Sequence, residues 1–170
     1  DEMRPGCYDV HARVRDMDLG GIWAMLNFPS QITGFCGRVF AAADDPEVGL
    51  DAVRAWNDWL YNEWYLEYPD RIIPCAITYL GDAAQAAAEI RRNAERGFVS
   101  VTLPERPQAI GLPSLWERAF WDPIIEACVD TETVISLHVG SSGMYPYPKG
   151  APALQLGATL FGQLSLAACA

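Results

Sequence analysis

Along the chain, hydrophobic positions fall into two patterns that take turns. Four short runs are apolar almost without interruption: Gly21–Phe28, Ile72–Leu80, Phe98–Leu103 and Thr133–Val139. Strands covered on both faces read this way, so each run predicts a strand of a parallel sheet. Between the runs, apolar residues recur at helical spacing. Helices are expected over Asp9–Asp18, about Glu47–Glu67, Ala83–Arg96, Pro123–Val129 and Leu154–Ala168.

The helix over Ala83–Arg96 carries the clearest signals. Asp82 stands at its N-cap, Gln85 three residues on completes a capping box, and Gly97 supplies the left-handed stop. Ala83, Ala87, Ile90 and Ala94 form the apolar stripe, which assigns Glu89, Arg92, Glu95 and Arg96 to solvent. The helix over 47–67 is rich in aromatics (Trp56, Trp59, Trp64, Tyr65), reads as a core and interface element, and is closed by Pro69.

Regular alternation of helix and strand implies right-handed crossovers and a parallel sheet, which makes the fold class α/β. No Gly-rich phosphate fingerprint follows any predicted strand, so a dinucleotide-binding sheet lacks its main signature. The large class that remains is a (β/α) barrel. Residues 1–170 show no internal repeat, low-complexity tract or linker, and read as one domain.

Composition narrows the function classes. A hydrophobic fraction of 51% excludes a disordered chain. The excess of 22 acidic over 12 basic residues gives a net charge of −10, which would repel nucleic acid and anionic membranes alike. From Thr133 onward the only formal charge is Lys149. Within that stretch Ala151–Ala170 is long enough to span a bilayer, but Pro152, Gly157, Gly162 and the lack of a flanking basic cluster favour a buried helix, with no membrane partner. Cys7, Cys36, Cys75, Cys128 and Cys169 form no C-x-x-C pair and sit mostly in apolar runs, so reduced thiols and a cytoplasmic location are expected.

In a (β/α) barrel, chemistry sits on the loops that follow the C-terminal ends of strands. Four such ends qualify: Asn27–Ser30, Tyr79–Gly81, Pro104–Glu105 and His138–Gly143. His138 stands out as a polar residue in an apolar strand, followed at once by a Gly/Ser turn. An imidazole there can ligate a divalent metal, or it can be a core histidine bonded to backbone. Glu105 can orient a substrate, work as an acid or base, or be ordinary loop polarity. Ser141 is a second candidate for orienting substrate, and Phe28 a candidate pocket wall. A serine hydrolase is disfavoured, since GSSG lacks the G-x-S-x-G spacing and no plausible histidine follows it. His11 lies in a charged helical pattern and reads as surface or helix packing. Asp16, Asp18, Asp44 and Asp45 lack the spacing of a calcium loop and read as solvated charge.

Four segments carry a resemblance: RVRDMDLGGIWAMLNFPS, AVRAWNDWLYNEWYLEYPDRIIPCAI, AAAEIRRNAERGFVSVTLPERP and IGLPSLWERAFWDPIIEACVDTETVISLHVGSSG. In this order, from about Tyr8 to Ala170, they resemble the amidohydrolase-related family of metal-dependent barrels. That family holds aminocarboxymuconate-semialdehyde decarboxylase and the resorcylate decarboxylases alongside hydrolases. The resemblance implies a TIM-type barrel with a divalent metal, Zn or Mn, at the strand ends. The family's metal is held by a D/E-x-H pair on strand one, a His on strand five and an Asp on strand eight. Only the strand-five ligand has a counterpart, His138, so the four predicted strands correspond to strands two to five of a partial barrel. The expectation that follows is an internal piece of a longer enzyme. Its substrate would be a small carboxylated or cyclic organic molecule, hydrolysed or decarboxylated without oxidation. The isolated chain is expected to hold no metal tightly, to be inactive, and to self-associate through uncovered edges. The competing expectation is a catalytically inactive barrel piece that serves as a binding or interaction module.

Overall fold

The computed structural model describes residues 3–138 and 140–142. Its described elements are α1 (Val10–Leu19), β1 (Met25–Asn27), α2 (Arg38–Ala41), α3 (Pro46–Trp59), β2 (Ile72–Ala76), α4 (Ala83–Ala94), β3 (Ser100–Pro104), α5 (Arg118–Asp130) and β4 (Val134–His138). The strands make one sheet in the order β1-β2-β3-β4, and every pairing is parallel. The α/β class and the partial-barrel architecture expected from the sequence are what the chain adopts. The predicted helix at Leu154–Ala168 lies outside the described residues.

Local chemistry explains where the helices begin and end. Asp9 caps α1 by accepting from the Ala12 N–H at 2.7 Å, and Asp82 caps α4 by accepting from the Gln85 N–H at 2.8 Å. Asp45 caps α3 ahead of Pro46, whose missing N–H costs nothing in a first turn. The predicted helix over 47–67 is continued past Trp59 by a π-helical turn, Leu60–Tyr65, which buries Leu60 and Trp64. Gly97 ends α4 at φ +95°, and a Cβ there would lie 2.7 Å from the Tyr65 hydroxyl. That position therefore needs glycine on two counts.

Two element boundaries expected from the sequence are corrected. The strand expected over Gly21–Phe28 is only Met25–Asn27, because Gly21 turns the chain at φ +67° and the Ile22 N–H returns to the Met17 carbonyl. Helix α5 begins five residues before Pro123: Trp121 is buried with its indole N–H on the Pro113 carbonyl at 3.0 Å, and Arg118 pairs with Asp122. These contacts hold a first turn that proline then enters from within.

The sheet separates two environments by its period of two. Val101 and Leu103 on β3 and Ile135 and Leu137 on β4 pack toward the helices, in one core with Ala86, Ile90, Trp121, Ile124 and Ala127. The alternate positions, Ser100 and Thr102 on β3 and Ser136 and His138 on β4, share the other face. Ser100 Oγ lies 2.9 Å from Ser136 Oγ and 3.5 Å from Cys75 Sγ, which continues this face onto β2. Strands β2 and β3 are buried almost throughout, whereas β1 and β4 are only half covered. No helix among the described residues is long and apolar enough to cross a membrane.

Outside the sheet, α3 and α4 are joined through a buried polar group. Glu89, expected at solvent, is only 3% exposed. Its carboxylate takes a two-pronged bond from Arg92 at 2.6 and 2.9 Å and further bonds from the Asn57 and Asn93 amides. A buried carboxylate is tolerated here because its lone pairs are filled, one partner being a guanidinium.

Candidate functional site

The C-terminal ends of β1, β3 and β4 converge. Phe28, just past β1, meets the His138 imidazole edge to face at a centroid distance of 5.2 Å. Strands β1 and β4 lie at opposite edges of the sheet, about 14 Å apart if four strands were flat. Contact between their terminal side chains therefore requires the sheet to curl, as a barrel wall does.

A second ring covers another side of the half-buried His138. Phe35, in the loop after β1, stacks flat on the imidazole at 4.3 Å with an interplanar angle of 1°. Its backbone is left-handed, φ +63°, which for a residue with a Cβ costs about 1–3 kcal/mol and is held only when the surroundings demand it. Cys36 follows, fully buried, with its thiol directed at the Ser141 carbonyl at 3.8 Å. Burial pushes that thiol up to about 11, so it stays protonated and acts as a weak donor.

Glu105, one residue past β3, reaches across to the turn that follows His138. One carboxylate oxygen accepts from the Gly140 N–H at 3.1 Å and the Ser142 hydroxyl at 2.5 Å. The other accepts from the Ser141 hydroxyl at 2.6 Å and the Ser142 N–H at 3.0 Å. Burial works to raise the pKa of this carboxyl, but the hydroxyl and backbone bonds outweigh it and hold the group below the ordinary glutamate range. The turn is closed by the Ser141 N–H on the His138 carbonyl at 3.1 Å, with Gly140 at φ +86°. Only glycine takes that backbone without strain.

The four residues singled out in the sequence, Phe28, Glu105, His138 and Ser141, thus meet at one rim. Their surroundings differ. Phe28 is 40% exposed, while Glu105 is 7% and Ser141 0% exposed, each bonded to the other. The sequence reading missed Phe35 and Cys36, and it included Gly140 and Ser142 only as parts of the Gly/Ser turn after His138. A positive-φ phenylalanine leaves no sequence signal, but the spacing of Ser100, Thr102, Ser136 and His138 at every second position does mark a polar inner face. His11 is exposed and bonded to the Tyr68 hydroxyl at 2.9 Å, away from this rim. Asp16 and Asp18 are paired with Arg4 and Arg71.

Among the described residues no three His, Cys, Asp or Glu side chains come together as a metal site. The described residues therefore do not close one by themselves. His138 has the chemistry of a single ligand.

Comparisons with known proteins agree with this geometry. The described fold resembles 5-carboxyvanillate decarboxylase from Novosphingobium aromaticivorans, solved with manganese and a nitrobenzoic acid, at 26% identity and a TM-score of 0.64. That match covers 85% of this chain and 38% of the other. A 2,6-dihydroxybenzoate decarboxylase from Rhizobium shares 22% identity over 84% of this chain and 42% of its own, at a TM-score of 0.59. An amidohydrolase from Mycobacterium avium subsp. paratuberculosis shares 24% identity over 96% and 40%, at a TM-score of 0.67. The chain thus spans about two fifths of the length of these structures. No curated protein matches the sequence. The sequence matches the family described as amidohydrolase over residues 8–167, and the chain belongs to that family.

Proposed function

We propose that this chain forms the His138-bearing part of a divalent-metal-dependent enzyme acting on a small carboxylated or cyclic organic substrate, by hydrolysis or non-oxidative decarboxylation. The observation that carries the reading is an imidazole at the C-terminal rim of a curled parallel sheet, flanked by two phenyl rings, in a chain of the amidohydrolase family. The decarboxylases among the similar structures act on small aromatic carboxylates, and one of them holds manganese. Zn or Mn is the proposed metal, and His138 its one ligand from the described residues.

The metal, when bound, supplies Lewis acidity toward a carboxylate, a carbonyl or a water molecule. The protein's own part is positional. Phe28 and Phe35 keep water from the two covered sides of the imidazole and offer apolar surface to a flat substrate. Phe28, half open at the rim, is the proposed pocket wall. The acidic chain gives no electrostatic attraction to nucleic acid, and the proposed partner is a small molecule.

The test is His138→Ala in the full-length protein, read by bound metal per chain and by turnover of aromatic carboxylates. Loss of both is expected, and unchanged metal content with unchanged turnover removes the assignment. The 170-residue chain alone is expected to bind Zn or Mn weakly, since one imidazole stands where a catalytic site uses about three protein ligands. Stoichiometric, chelator-resistant metal in that chain would contradict this.

A further inference from the structure

Orienting substrate, acid–base work and ordinary loop polarity were the readings open for Glu105, and its geometry describes another task. Each carboxylate oxygen is filled by two donors, and all four donors come from three consecutive residues, Gly140, Ser141 and Ser142. An ionised carboxylate offers about four lone-pair sites, so the bonds from this one turn use its capacity. A group spent in this way and 7% exposed has no face left for a ligand.

The same turn is fastened to His138. The Ser141 N–H donates to the His138 carbonyl at 3.1 Å, and the Ser141 hydroxyl lies 2.7 Å from that carbonyl and 2.6 Å from Glu105. One hydroxyl proton is therefore shared between two acceptors, of which the carboxylate is the stronger. Glu105 fixes the turn, and the turn fixes the end of β4 from which the imidazole projects. On the other side, the Phe35 ring sets the plane of the imidazole, and Cys36 touches the same turn at the Ser141 carbonyl.

We infer that Glu105 is a positioning residue for His138, acting through the Gly140–Ser142 turn and holding the imidazole flat against Phe35. The inference rests on the reading of His138 as a metal ligand only for its purpose. The geometry it asserts can be measured with no metal present.

The sequence offers a clean probe, because the chain has two histidines, His11 and His138. In chain labelled at histidine, the two ring signals are assigned by His11→Gln. A flat stack on Phe35 places the His138 ring hydrogens in the shielding region above a phenyl face and moves them upfield at any one fixed pH. In Glu105→Ala the upfield displacement should be lost and the His138 signal broadened, while His11 is unchanged. In Glu105→Gln the amide oxygen can replace only one carboxylate oxygen. The amide nitrogen can donate to a serine hydroxyl but meets one backbone N–H in either orientation, so an intermediate displacement is expected. Ser142→Ala, which keeps the carboxylate and removes one hydroxyl bond, should give a smaller change of the same sign.

If Glu105→Ala does not fold, Glu105→Gln and Ser142→Ala carry the test, with unchanged circular dichroism as the control for folding. Folded variants that keep the parent His138 signal overturn the inference. A displaced His138 signal in the chain combined with unchanged metal content in full-length Glu105→Ala and His138→Ala would uphold the positioning role and remove the ligand reading instead.

Discussion

Asn57 is a sensitive single point for testing how the rim is supported from outside the sheet. Its side chain lies on α3, fully buried, and pairs with both backbone groups of Ile77, the first residue past β2. The amide donates to the Ile77 carbonyl at 2.8 Å and accepts from the Ile77 N–H at 3.0 Å. It also donates to Glu89 on α4 at 2.9 Å. One amide thus ties α3 to α4 and to the C-terminal end of β2.

Asn57→Ala leaves the Ile77 N–H and carbonyl without their Asn57 partners, at a residue that is itself 0% exposed and out of reach of bulk water. Each orphaned buried group costs about 1–3 kcal/mol, or about 2–6 kcal/mol for the pair. At about 2–4 °C per kcal/mol for a chain of this size, a loss of ~4 kcal/mol lowers Tm by roughly 8–16 °C. Asn57→Asp is the sharper variant. It keeps the acceptor for the Ile77 N–H but sets a carboxylate against the Ile77 carbonyl and against Glu89, so it should be less stable than Asn57→Ala at neutral pH. Urea and thermal unfolding followed by tryptophan fluorescence give the order. The reasoning is refuted if Asn57→Ala melts with the parent chain, or if Asn57→Asp is the more stable of the two.

Two further outcomes follow from the same contacts. The Glu105 carboxyl is held below its ordinary range in the folded chain, so its contribution to stability is complete above the unfolded value of about 4.3 and is lost as pH falls through the lower folded value. Glu105→Gln should therefore be less stable than the parent at pH 7 and converge on it in acid, and an equal gap in urea unfolding at both ends of a pH series would contradict this. The half-covered edge strands β1 and β4, with Val134 on β4 at 61% exposure and Trp23, two residues before β1, at 77%, predict that the 170-residue chain self-associates. Light scattering showing a monomer at high concentration would count against it.

Much of the architecture was legible because burial on both faces leaves a direct mark on sequence. The runs at 72–80 and 98–103 hold β2 and β3, where both faces are covered. The run at 21–28 misled, since Ile22 and Trp23 are apolar but exposed, and Gly20-Gly21 breaks the chain before the strand begins. Charge was a weaker guide than apolar spacing. Glu89 sits on the polar side of α4 by its neighbours, yet Asn57 and Arg92, 32 positions before it and three after it, make that side an interior. The rim was half legible. His138 and Glu105 lie at strand ends where the topology alone directs attention, whereas Phe35 is brought in by a left-handed backbone that propensity does not encode.

The contacts around His138 also measure the sheet itself. They come from three strands: Phe28 and Phe35 after β1, Glu105 after β3, and the Gly140–Ser142 turn after β4. Parallel strands deliver their C-terminal ends to one rim, but only curvature brings β1 against β4. That curvature passes through the β2–β3 pairing, which is confined to Cys75 with Ser100 and Ala76 with Val101. The Asn57 amide grips the residue next to this junction. Asn57→Ala is therefore expected to loosen this least paired seam, read as a loss of the upfield displacement of the His138 ring signal in a variant whose circular dichroism is unchanged, and an unmoved His138 signal would refute the link. Asn57 on α3 reaches the rim only through Ile77 and the strand β2 that precedes it, which makes that ring signal the direct measure of whether the outer polar group supports the rim.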